Sequence, residues 1–306
     1  RLTDEELLRV LAIAAGKGVL VNVHAEDGAL VDYLSDALIA TGQTGIDQLG
    51  PSRPPRAEAL ATEKMVTYAG AIGCPLYIVH LSSLEALNAV RRGRSAGIEV
   101  YVETRPAYLY LDEGVYGLPG QEGNRYACWP PLRSVADQDV LWDAIGNGEV
   151  QCYATDHTTW TLAEKMDPKL MFNQVPGGIS NVQTSLGMLF SEGVSRGRMS
   201  LARFVEVTAQ TPARLFGLWP RKGVIQLGAD ADIVIVDPQL SYRVVSERME
   251  SASDFDPYDG YESSGWPVLT MSRGQIVVAD QQLLGSAEHG RFYHRAPFES
   301  LPLGTI

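Results

Sequence analysis

Cysteine is scarce in this 306-residue chain: Cys74, Cys128 and Cys152 are the only three, an odd number without the paired spacing of a metal-binding module. That usage excludes a disulfide scaffold and predicts a reduced, cytoplasmic setting. Long apolar runs are missing as well, which excludes a membrane-spanning helix, and no low-complexity stretch marks disorder or a fibrous repeat. Positive charge is in deficit. Against 37 Asp and Glu stand 25 Lys and Arg, a formal charge of -12 spread along the chain, so a nucleic-acid or anionic-membrane surface is not expected. Histidine is rare too, five in all, and no two stand as His-x-His. Hydrophobic residues, by contrast, make up 45% of the chain, enough at this length for one large core with a smaller module beside it. Arg1 already lies inside a predicted helix, so further sequence is expected ahead of it.

Thr3 and Glu6 have capping-box spacing, and Leu7, Val10, Leu11 and Ala14 recur at helical intervals until Gly16 and Gly18. A buried strand is predicted over 19–23. The cycle repeats with a helix over 57–72 and a strand over 76–79, then a helix from Leu84, opened by Ser82 with Glu85, and a strand over 98–102. A helix over 135–145 and a strand over 150–153 follow. Helices alternating with continuously apolar strands predict a parallel sheet covered by helices. In such sheets chemistry gathers at the carboxyl ends of the strands. Those positions read His24, His80, Glu103 with Thr104, and Thr155-Asp156-His157. The connections 25–56 and 105–133 are long and hold much of the Pro and Gly, as expected of a site built on that face. Helical patterns continue over 182–194, 201–209 and 212–218, and beyond Arg221 give way to short β-rich runs at 223–237 and 268–280. A boundary near Pro220 divides the chain into an α/β part, 1–220, and a small β module with a tail, 221–306.

Two histidines and an aspartate at strand ends suit a divalent metal, because zinc accepts imidazole nitrogen and carboxylate oxygen together and a catalytic site leaves a position for water. A single His at a strand end is more often a hydrogen-bonded structural residue; the weight lies in the combination. His157 is expected to support its neighbour, because adjacent side chains diverge. Glu26 and Asp27 are read as solvated loop carboxylates before supports for His24. Trp160, Trp219 and Trp266 are read as core or interface residues. Cys128 lacks a paired base and is not a nucleophile candidate, and His289 and His294 fall in the tail without a role. No Gly-rich phosphate loop follows any strand, which argues against a phosphate-handling enzyme.

Taken together, Val23-His24-Ala25-Glu26-Asp27-Gly28, Val79-His80-Leu81-Ser82-Ser83, Glu103-Thr104-Arg105-Pro106, Pro130-Pro131-Leu132-Arg133 and Thr155-Asp156-His157 resemble the cyclic amidohydrolases. Lys222-Gly223-Val224-Ile225 and Gly228-Ala229-Asp230-Ala231-Asp232-Ile233-Val234 are similar to that family's carboxy-terminal signature. Asp254 to Gly260, Gly265-Trp266-Pro267-Val268 and Arg273-Gly274 most resemble its hydantoinase and dihydropyrimidinase branch. The resemblance implies a metal-dependent TIM barrel flanked by a β-sandwich, in oligomeric enzymes that hydrolyse rings of the hydantoin, dihydropyrimidine or allantoin type. It further implies two zinc-type divalent metals, bridged by a carboxylated lysine and a hydroxide. His24 and His80 match the histidines of one metal. Asp156 matches the aspartate of the other, which also accepts and donates the proton. Trp129 stands where the family has Ser or Thr, and Gly177 is read at its Asn position; both would be substrate-binding. The Gly177-Gly178-Ile179 wording with Gln183 leans toward allantoinase.

The family's first His-x-His and its bridging lysine, with a nearby oxyanion-stabilising tyrosine, have no counterpart here. About four helix-strand units are present, where a closed barrel needs on the order of eight strands. The chain is therefore expected to be the second half of a barrel with its sandwich strands, an incomplete portion weakly active or inactive alone. Its exposed edges would call for a homo-oligomer or a complementing amino-terminal half. The alternative is a non-catalytic, dihydropyrimidinase-like scaffold or assembly protein.

Overall fold

The computed structural model describes residues 1–303. Helix α1 (Asp4–Ala15) opens on the expected box: Thr3 Oγ1 accepts from the Glu6 N–H at 3.3 Å, and the Glu6 carboxylate accepts from the Thr3 N–H at 2.7 Å. Strand β1 (Val21–Val23) follows, then α2 (Gly28–Ala40), the short α3 (Leu49–Ser52) and α4 (Pro55–Ile72). The cycle continues through β2 (Leu76–Ile78), α5 (Leu84–Ser95), β3 (Val100–Thr104), α6 (Pro106–Tyr110), α7 (Val135–Asn147) and β4 (Cys152–Tyr153). The four strands pair in parallel in the order β1-β2-β3-β4, with Val23, Ile78 and Val102 level across three of them.

Strand side chains alternate between faces. Leu76, Ile78, Val100 and Val102 join Met65, Val66, Leu87 and Val90 of the covering helices in the main core. Tyr77, Tyr101 and Cys152 pack on the other face with Leu215, Phe216, Phe298 and Leu301. That second face is covered by the returning tail. Leu301 N–H donates to the Tyr101 hydroxyl at 2.7 Å, and the hydroxyl donates to the Leu301 carbonyl at 3.0 Å. Among the described residues β1 pairs with β2 alone, and Ile13 of α1 is 62% exposed.

A second, antiparallel sheet runs β5 (Ile233–Arg243), β6 (Glu262–Ser272), β7 (Gln275–Ala279) and β8 (Gln282–Leu283) in that order. After α8 (Leu162–Lys165), helix α9 (Val182–Leu189) carries this sheet: a Cβ on Gly187 would lie 2.2 Å from the Trp266 ring, which stacks on Tyr242 with centroids 4.0 Å apart. Trp266 is thus a core residue, as expected.

Several boundaries differ from the sequence reading. Ser83, not Ser82, caps α5, its hydroxyl accepting from the Ala86 N–H at 3.3 Å; Ser82 is buried and bonds Glu58 instead. The stretch 25–56 is not a plain loop but holds α2, capped by Asp27, whose carboxylate accepts from the Leu30 N–H at 2.9 Å. Asp27 is accordingly a helix cap. Leu30, Val31, Leu34 and Leu38 recur at helical spacing along α2, a pattern the sequence reading passed over, and Leu38 and Ile39 pack against the core. β5 begins at Ile233, ten residues after the β-rich pattern starts, because the Gly- and Asp-rich stretch before it is spent in turns.

Candidate active site

His24 leaves β1 and His80 leaves β2. His80 and Asp156 both take left-handed backbone, with φ of 42° and 45°, a region that costs a residue with a side chain about 1–2 kcal/mol. Arg273, Asp280 and Gln281 take the same region in the turns around β7, so in the α/β part His80 and Asp156 are the described non-glycine residues that do so. The turn at His80 brings its Nε2 to 2.9 Å from His24 Nδ1, the rings meeting edge to face with centroids 4.7 Å apart.

Glu26 fixes the first ring. Its Oε2 lies 3.0 Å from His24 Nε2 and accepts from Arg53 Nη1 at 2.7 Å. The carboxylate is 4% exposed, which corrects its reading as a solvated loop group. Burial pushes the Glu26 carboxyl up, but its hydrogen bond to His24 and the Arg53 charge outweigh this and hold it below the ordinary value. His80 is buried, and burial, with the Arg105 and His24 charges adding to it, holds its imidazole well below the usual range. It is therefore neutral at pH 7, the form that binds metals. Its backbone N–H donates to Glu103 Oε1 at 3.2 Å, and Tyr77 donates to Glu103 Oε2 at 2.7 Å.

Asp156 is placed differently from the two histidines. Its Oδ2 pairs with Arg105 Nη1, while the arginine is 1% and the aspartate 41% exposed. Arg105 Nη2 donates to the Tyr108 hydroxyl at 2.7 Å and toward the Pro130 carbonyl at 3.4 Å, and its Cζ stands 4.5 Å from the Tyr108 ring centroid. The structure thus brings His24 and His80 into contact and gives the Asp156 carboxylate to Arg105. Among the described residues no three His, Cys, Asp or Glu side chains form a metal-holding group. The two facing imidazole nitrogens hydrogen-bond each other and supply two donors, where a four-coordinate ion takes four.

Beside His24 lies a cavity of about 540 Å³, lined also by Glu26, Arg53 and Trp129 and by Leu7 and Leu11 of α1, but not by His80 or Asp156. Trp129 rests on Gly177, where a Cβ would lie 3.0 Å from the indole, and the Arg53 guanidinium stands 4.8 Å from its centroid. Gly177 in turn accepts from Trp160 Nε1 at 3.0 Å through its carbonyl. His157 bonds neither Asp156 nor a histidine; its Nδ1 accepts from the Asn181 and Val182 N–H groups at 2.9 and 3.1 Å, capping α9. Sequence reasoning missed two residues. Arg105 is one, although a cation inside a strand-end motif was a visible signal. The other is Lys165, fully buried, whose Nζ donates to the Ala127 carbonyl at 3.0 Å with no carboxylate beside it. Burial brings its pKa down to about 8.

The model of the Amidohydrolase family matches residues 1–277. A D-phenylhydantoinase of Escherichia coli O1:K1 is 40% identical over 300 residues, which cover 97% of this chain and 65% of that protein. The solved D-hydantoinase of Bacillus sp. AR9 matches with a TM-score of 0.95 and 39% identity, over 98% of this chain and 65% of its own. The dihydropyrimidinase of Brevibacillus agri does so with a TM-score of 0.95 and 37% identity, over 97% and 65%. The chain therefore spans 65% of the length of these relatives, and its parallel sheet is the corresponding part of a TIM barrel. With the family model matching residues 1–277, most of its length, the chain belongs to the amidohydrolase family.

Proposed function

We propose that this chain forms the carboxy-terminal part of a metal-dependent hydrolase that opens cyclic amide rings of the hydantoin, dihydropyrimidine or allantoin type. The approach of His24 Nδ1 and His80 Nε2 to 2.9 Å at neighbouring strand ends carries the proposal. These nitrogens would hold one divalent ion, zinc in this reading, which when bound polarises an amide carbonyl and lowers the pKa of water toward about 7. Glu26 keeps the His24 ring turned so that Nδ1 faces His80. Asp156 is assigned by resemblance both as a metal ligand and as general base. Its place beside Arg105 supports the second role, an ionised acceptor that takes a proton from water and returns it to the leaving ring nitrogen. Trp129 and Gly177 form the substrate-reading wall and its backing.

Further ligands would come from a complementing amino-terminal portion or from a homo-oligomer, a reading supported by the open edge of β1 and the exposed Ile13. Three free, buried cysteines support a cytoplasmic setting, and the separate antiparallel sheet supports a division near residue 220. Purified protein is expected to carry zinc, lost in His80→Ala. In an assembly that opens hydantoin or dihydrouracil, Asp156→Ala should lower turnover by on the order of 100-fold or more with the fold retained by circular dichroism. Full activity of that variant refutes the assignment. The second reading is a non-catalytic scaffold, which a metal-free soluble oligomer would support.

A further inference from the structure

Where β2 ends, four successive N–H groups are each given to an acceptor far away in the chain. Val79 donates to the Val23 carbonyl at 3.2 Å, His80 to Glu103 Oε1 at 3.2 Å, Leu81 to the Glu103 carbonyl at 2.8 Å and Ser82 to Glu58 Oε1 at 2.8 Å. The Leu81 carbonyl accepts from Thr104 Oγ1 at 3.0 Å, so β3 holds this turn through its backbone and through two adjacent side chains. Beyond it, the buried Glu58 carboxylate also accepts from the Ser82 and Ser83 hydroxyls at 2.6 and 2.7 Å. His80 stands between these holds with its φ of 42°. A left-handed residue that carries a side chain persists only where its surroundings over-determine it. Here the hold on the strained residue itself comes from 23 positions away, from the carboxylate of Glu103. That carboxylate is fixed in turn, because the Tyr77 hydroxyl donates to its other oxygen at 2.7 Å.

We infer that Glu103 is a positioning residue: by accepting the His80 N–H it fixes the left-handed turn after β2 and so aims the His80 imidazole at His24. That the aimed ring serves ring opening rests on the proposed function, whereas its placement does not. The motif Glu103-Thr104 thereby gains a task at the mouth of the sheet, with Thr104 holding the residue that follows the histidine.

Nuclear Overhauser contacts between ring protons test it, measured on the full chain deuterated everywhere except at its five histidines. A contact between the His24 and His80 rings is expected in the parent, where the centroids are 4.7 Å apart, and in Glu103→Gln, whose amide oxygen still accepts from the His80 N–H. In Glu103→Ala that contact should be lost while the resonances of His157, His289 and His294 stay in place. A contact that survives in a folded Glu103→Ala protein overturns the inference. So does its loss in the glutamine variant, or a displacement shared by all five histidines, which marks general loosening. If the alanine variant fails to fold by circular dichroism, amide hydrogen exchange of the parent carries the test: the His80 N–H should be protected as the N–H groups within β2 and β3 are, and an unprotected His80 overturns the assignment. Unaltered turnover of an assembled hydrolase whose Glu103→Ala chain has lost the ring contact would leave this inference standing and remove His80 from the proposed function.

Discussion

At position 165 an ammonium is enclosed with a carbonyl for company, 3.0 Å away on Ala127. Below pH 8 the folded protein carries that charge out of water; above it the folded lysine is neutral, whereas in the unfolded chain it stays protonated to about pH 10.4. Between those values the unfolded state binds more protons, so stability rises with pH across the window, by on the order of 3 kcal/mol if the shift is fully expressed. Lys165→Met should stabilise the protein at pH 7 and flatten that rise, as denaturant unfolding at pH 7 and pH 10 would show. Glu26 offers a second prediction: Glu26→Gln should weaken zinc binding by about 10-fold to 100-fold through loss of ring orientation, read by chelator competition. His24, His80 and Asp156 were picked out because each follows an apolar strand, and the fold does set them at strand ends. Glu26 was named as a possible support for His24 but read as solvated, its burial beside Arg53 being set across 27 positions; Arg105 and Lys165 were not picked out, since Arg105 meets Asp156 across 51 positions and Lys165 meets Ala127 across 38. Only the path of the chain between them joins such partners.

Between elements, small residues set the distances. Gly187 lets the antiparallel sheet press Trp266 onto α9, and Gly187→Ala is expected to cost about 1–3 kcal/mol in urea unfolding, since the indole has Tyr242 behind it. Trp129 and Gly177 should show coupling. Gly177→Ala costs about 1–3 kcal/mol with the indole present and markedly less in a Trp129→Ala background, a difference that a double-mutant cycle measures. The helix-strand cycle was readable because α1, α4, α5 and α7 bury apolar stripes against continuous strands. α2 escaped notice although Leu30, Val31, Leu34 and Leu38 recur at helical spacing, because it lies inside a connection between strands, and the cap of α5 was misplaced by one residue because Ser82 and Ser83 are alike in sequence while Glu58, twenty-four positions away from Ser82, claims both hydroxyls.

For the molecule as a whole, the tail is part of the sheet's cover. Removing residues 296–306 should speed amide hydrogen exchange in β2 and β3, where Tyr77 and Tyr101 lose Phe298 and Leu301, while leaving the antiparallel sheet unchanged. That a β module follows the α/β part was visible in composition, but its seat on α9 was not, because the glycine that receives Trp266 lies inside a helical pattern. The open side of β1 has a consequence of its own. A strand held by one neighbour frays more readily, and His24 follows directly on Val23, the last residue of β1 paired with β2. Any ion clasped between His24 and His80 would act as a rivet through that outermost strand and its neighbour, so that loading the site and locking the margin of the sheet become a single equilibrium.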